Sequence, residues 1–332
     1  MSELPPTKLP HAAAELFADS QSPAPPVSQS PITPPPITAA EGGWAAIIVL
    51  VTQNAVSAIA LARGLPLGTA LLLSFLGVVL IFSLTMRRTA LALLHDPRWR
   101  TRPRVGVVLG SFALAFVASR ALLLFVLSLW PAGAQTVPEF LSKGTDVWVL
   151  LLVAGFLIPV AEEVAFRGLL MRGFEWARGP LFAALLSSLL FGLAHGAPAQ
   201  VIAILPLAWF LARSVQYSGS LWTSISIHVL NNSLAVGLSA FLQGKDLSAL
   251  GGDITGVKIP LSLGLASLLI GVAALVIGTL WLTPRTSPVP EARSPQWPVW
   301  TLSTVLLGVL VLAAVALSSA PLFLKGMDFK GL

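Results

Sequence analysis

Four ionisable side chains lie where nearly everything around them is hydrocarbon: Glu162, Glu163, His195 and His228. An ionisable group inside a lipid-embedded span costs about 2.5–3.5 kcal/mol on insertion scales, so each requires a partner or a task. Of fourteen acidic residues only Glu162 and Glu163 fall well inside an apolar stretch, and of four histidines only His195 and His228 do. In Glu162-Glu163-Val164-Ala165-Phe166-Arg167, Glu163 and Arg167 are four apart, share a helix face and can pair. Glu162 lies about 100° further round. One carboxylate can then be held by arginine while its neighbour faces a cavity, the arrangement that lets adjacent carboxylates keep different protonation states. A charge cluster at a helix end, with Arg167 reaching the headgroups, explains the arginine but not two consecutive glutamates about two turns inside the boundary.

Phe191 and His195 stand one turn apart near the end of another apolar stretch. Alone, His195 reads slightly better as a satisfied hydrogen-bonding residue. His228 and Asn232 are four apart on a third stretch and point the same way. They suit a packed interhelical contact, and they equally suit donors aimed at a developing oxyanion. Taken together, a carboxylate, two imidazoles and a carboxamide on three separate spans are the parts of a hydrolytic site that admits water.

At these positions the chain resembles the CAAX prenyl endopeptidase and bacteriocin-processing intramembrane proteases, also called the CPBP or ABI family. The pattern Glu-Glu-x-x-x-Arg, Phe-x-x-x-His, His-x-x-x-Asn is matched by Glu162, Glu163 and Arg167, by Phe191 and His195, and by His228 and Asn232. The resemblance covers roughly residues 147–242. It implies hydrolysis of a peptide bond within the bilayer, with Glu162 as general base and His195 holding the water. His228 and Asn232 would stabilise the oxyanion, and Glu163 and Arg167 would brace the first glutamate. It implies no required cofactor; were Zn²⁺ bound, Glu162, His195 and His228 would be its ligands. The implied partner is a membrane-anchored or lipidated protein or peptide.

Composition says which elements must position these groups. The 332 residues are 55% hydrophobic and 10% charged, against roughly 25% charged in a soluble domain. The expected fold is an all-α, polytopic transmembrane bundle of about 8–9 spans, near 44–62, 66–86, 106–130, 147–170, 180–196, 199–215, 220–242, 259–282 and 299–322, each weighed against ~20 residues per crossing. The fifth and sixth are short and broken by His195-Gly196-Ala197-Pro198. Residues 1–41 hold ten prolines and read as a disordered cytoplasmic tail. Residues 42–146 carry the first three spans, 147–242 the catalytic core and 243–332 the last spans. The loop 87–104 holds six arginines and should be cytoplasmic; alternation then places twelve Lys and Arg inside and six outside. The expected location is the inner membrane, with the N-terminus cytoplasmic.

Basic residues in short loops set topology rather than bind nucleic acid, and the absence of Cys excludes disulfides and thiolate metal sites. Arg120, in the outer half of the third span, is expected to snorkel outward. A proton-coupled transporter and a non-catalytic membrane scaffold remain as alternatives, since Glu and His also mark proton paths; oligomeric state is not readable. One geometric demand follows from the hydrolytic reading. On straight spans Glu162 and His195 would differ in depth by roughly 14 Å in a ~30 Å core. Either the fifth span must begin well out in the cytoplasm at Gly179-Pro180, or Pro159 must bend the fourth.

Overall fold

The structure, a computed structural model, describes residues 37–130, 146–242, 259–283 and 298–326. Among them are eleven helices and no strand: α1 (Ala39–Ala62), α2 (Leu67–Thr85), α3 (Arg87–His95), α4 (Pro97–Arg100), α5 (Val105–Leu129), α6 (Val147–Arg178), α7 (Pro180–Leu193), α8 (Pro198–Ser218), α9 (Leu221–Leu242), α10 (Leu261–Trp281) and α11 (Leu302–Gly326). Seven of these, α1, α2, α5, α6, α8, α10 and α11, are long and apolar enough to cross a membrane by length and composition; α7, at 14 residues, is shorter. The chain is a multi-pass all-α membrane protein. The sixth span is longer than its sequence suggested, at 21 residues. Most of the Pro-rich segment lies outside the described residues.

The surface is inverted relative to a soluble fold. Along α10, Leu269 and Leu280 are each 71% exposed, while Gly264, Ser267, Gly271, Ala274 and Gly278 face inward. Small residues at helical spacing let backbones approach closely where no hydrophobic effect drives association. They seat α10 on α5, with Gly271 against Ala118, Ala121 and Leu122.

Helix α1 starts at Ala39, earlier than the Trp44 expected, because Thr38 and Glu41 form a capping box. Glu41 also accepts from Thr89 Oγ1 at 3.0 Å, tying α3 to α1. Gly42 backs on to Leu170 and Gly173 on to Ala39, contacts that any Cβ would block, so α1 and α6 run antiparallel. Gly43 packs on Ser303 of α11, whose Oγ donates to Ala40 O at 2.8 Å.

Helix α6 organises the rest. Its 32 residues contain two π-helical segments, Leu151–Leu157 and Val164–Leu170, on either side of an α-helical Ile158–Glu163. π segments within α-helices are rare and occur mostly at functional sites. The helix does not stop at residue 170 but runs on to Arg178, because its charged last turns are buried with partners. Glu175 Oε2 pairs with Arg98 at 2.8 Å, Arg172 with Asp96 at 3.2 Å, and Gln216 Nε2 donates to Glu175 Oε1 at 2.9 Å. The loop 87–104 is thus folded onto the end of α6; Arg98 is buried, while Arg87, Arg88, Arg100, Arg102 and Arg104 stay exposed.

This extension answers the depth demand. Gly179, at φ 90, turns the chain and Pro180 opens α7; a positive φ favours glycine. Residues equidistant from that turn face each other, as Phe166 and Phe191 do with ring centroids 5.1 Å apart. Glu162, seventeen residues before Gly179, and His195, sixteen after it, come to one level.

Candidate active site

The central pair forms as the i, i+4 spacing predicts. Arg167 Nη1 donates to Glu163 Oε1 at 2.8 Å, and both side chains are fully buried. Arg167 Nη2 donates to Ala208 O at 3.1 Å, and its guanidinium lies 4.2 Å from the centroid of the Phe191 ring. A buried cation is tolerated only with such compensation: here a carboxylate, a carbonyl and an aromatic face. Ser188 Oγ of α7 donates to the same Ala208 carbonyl at 3.0 Å, so α6, α7 and α8 meet at one oxygen.

His228 of α9 reaches between the two glutamates. Its Nδ1 lies 3.0 Å from Glu163 Oε1, and its Nε2 3.8 Å from Glu162 Oε2. An ionised carboxylate only accepts, so the Glu163 contact places a hydrogen on Nδ1 and turns Nε2 to Glu162. Glu163 is sealed off; Glu162 retains 14% side-chain exposure. Ser224, one turn before His228, touches Glu163 as well. The sequence reading missed it, although Ser224, His228 and Asn232 recur every four residues, one stripe of a helix.

Phe191 joins the second histidine to this cluster. Its ring meets Phe166, His195 and His228 edge-on, with centroids 5.1, 5.0 and 5.6 Å away. His195 Nδ1 lies 2.9 Å from the carbonyl oxygen of Phe191. A carbonyl cannot donate, so Nδ1 carries the hydrogen and Nε2 presents its lone pair. His195 follows the end of α7 and keeps partial exposure.

Asn232 lies further along α9 and is bonded elsewhere. Its Nδ2 donates to Ala154 O at 3.2 Å and its Oδ1 accepts from Asn231 at 3.1 Å; Ser233 Oγ donates to Gly155 O at 3.4 Å. Pro159 explains why these carbonyls need outside donors. Having no N–H, it cannot serve the carbonyl four residues back, Gly155, or five back in the π register, Ala154. Side chains of a neighbouring helix supply the missing donors, as membrane helices broken by proline require. Glu162, Glu163, Arg167, Phe191, His195 and His228 are therefore brought together, and Asn232 grips the π segment beside them.

Among the described residues no three His, Asp or Glu side chains are grouped so as to hold a metal ion. Arg120 lies apart from the cluster, exposed on α5 with its guanidinium 5.6 Å from the Phe116 ring centroid.

Residues 144–234, from α6 through most of α9, match the family model described as type II CAAX prenyl endopeptidase Rce1-like, a family of proteases. No curated protein and no solved structure matches the chain.

Proposed function

Since residues 144–234 match the family model described as type II CAAX prenyl endopeptidase Rce1-like, we propose that the protein is an intramembrane endopeptidase in which Glu162 activates a water molecule against the scissile carbonyl. The observation that carries this reading is the unequal treatment of the two glutamates. Glu163 is spent on Arg167 and His228, while Glu162 keeps an exposed edge and faces His228 Nε2.

Glu162 takes a proton from water while the oxygen forms its bond to the carbonyl carbon. The His195 lone pair on Nε2 accepts the second hydrogen of that water and orients it. The oxygen of the tetrahedral intermediate is met by His228, whose ring Glu163 holds through Nδ1. Collapse breaks the C–N bond, and the proton held by Glu162 passes to the leaving amine. Asn232 positions the wall of the site through Ala154. Its second amide hydrogen is a further donor.

The substrate class follows the family's name: a protein ending in Cys, two aliphatic residues and a variable residue, prenylated on the Cys. Its lipid would hold the scissile bond at membrane depth. The orientation has a cytoplasmic N-terminus, by the excess of arginine in residues 87–104. A synthetic farnesylated peptide of that form, incubated with the purified protein in lipid nanodiscs, should lose its last three residues. Glu162→Gln should abolish the cleavage, and a chelator should leave it within twofold of its original rate. Loss with chelator and recovery with Zn²⁺ would replace this mechanism by a metal-dependent one.

A further inference from the structure

Two buried polar atoms on α1, Gln53 Nε2 and Ser57 Oγ, have no hydrogen-bond partner among the described residues. Both lie outside the family-matched segment. Helix geometry says where Gln53 points. Gly42 backs on to Leu170, and Gln53, eleven residues later, returns to within about 20° of the same face, ~16 Å further along. The same distance back along antiparallel α6 leads from Leu170 to Pro159. Gln53 therefore faces α6 at the level of Ile158–Glu163, a segment that α1 contacts.

Asn54, the next residue, lies on the α11 side of α1. It lines a groove of about 330 Å³ with Leu50, Ala194, Leu310 and Ala314, among others. Ala194 directly precedes His195 in the chain, so one wall of the groove stands next to the catalytic cluster. Both long walls are apolar, and Asn54 is exposed on one of them. Its Nδ2 donates to Leu50 O at 2.8 Å, leaving its carbonyl oxygen and a second hydrogen available.

We propose that Gln53 and Asn54 bind the backbone of the substrate as it unwinds into the site through the groove between α1 and α11. The inference rests on the endopeptidase reading and adds to it the path and the groups that hold the chain. A bond is cleaved only in extended peptide, and extended peptide at membrane depth has no water to satisfy its N–H and C=O groups. A carboxamide carries the same donor and acceptor types as a peptide group. A buried donor without a partner is costly to keep, and a substrate carbonyl is the acceptor that Gln53 lacks.

The test uses full-length protein in nanodiscs and the farnesylated peptide, together with copies in which a single amide next to the scissile bond is replaced by an ester, a weaker acceptor. Gln53→Leu should raise KM about tenfold, the size of one hydrogen bond, hold kcat within twofold, and raise Tm. One ester copy should raise the wild-type KM similarly, with no further rise in the variant, as coupled partners require. A lowered Tm with KM unchanged would make Gln53 structural and overturn its role. Independently, a benzophenone amino acid replacing Leu310 in Glu162→Gln protein should form a photoadduct with the peptide that excess unlabelled peptide prevents. Cleavage by wild type without that adduct overturns the groove and spares the protease. An adduct without wild-type cleavage does the reverse.

Discussion

His228 Nδ1 and Arg167 Nη1 converge on a single oxygen, Oε1 of Glu163, at 3.0 and 2.8 Å. The charge of Glu163 is thereby committed to holding an imidazole and a guanidinium in place. Glu163→Gln preserves shape but leaves Arg167 an uncompensated buried cation, and breaking a buried pair costs about 3–5 kcal/mol. Thermal unfolding in detergent should show a much larger drop in Tm for Glu163→Gln than for Glu162→Gln, whose carboxylate has no such bond. Equal drops would mean that the two glutamates are not divided as described.

Asn232 and Pro159 should be energetically coupled. Removing the carboxamide leaves the Ala154 carbonyl unsatisfied, at a cost of about 1–3 kcal/mol. In a Pro159→Ala background the helix recovers an N–H donor, and Asn232→Ala should then cost clearly less. A double-mutant cycle on unfolding free energy measures the difference; additive effects would show that the π segment does not depend on this clasp.

Glu175 joins the loop 96–100 to the end of α6 through Arg98, and within α6 it pairs with Arg172. Glu175→Gln should release that loop. Limited trypsin digestion of the purified protein should cut at Arg98 or Arg100 several times faster in the variant, and an unchanged rate would show that the Arg172–Asp96 pair and the Trp99–Trp222 contact, with centroids 4.9 Å apart, hold the loop without Glu175.

Much of the site was legible because its signals are local. The Glu163–Arg167 bond follows from a spacing of four, and the apolar stretches reveal a membrane bundle. What the sequence hid is non-local. Ending the fourth span at residue 170 seemed natural because charged residues follow, yet Arg172 and Glu175 stay helical by pairing with Asp96 and Arg98, some 75 residues earlier. That misjudged end is what made Glu162 and His195 look mismatched in depth. The π segments depend on Pro159 together with donors from α9, so no window along α6 contains their cause. The capping box of Thr38 and Glu41 places the start of α1 inside residues 1–41, which by composition read as a disordered tail.

The central claim is that water activated by Glu162 cleaves a peptide bond. Hydrolysis of the farnesylated peptide in H₂¹⁸O, followed by mass spectrometry of the shortened product, tests it directly. The account predicts a single ¹⁸O in the new carboxylate with wild-type protein and no shortened product with Glu162→Gln. A labelled product formed equally by the variant would contradict it.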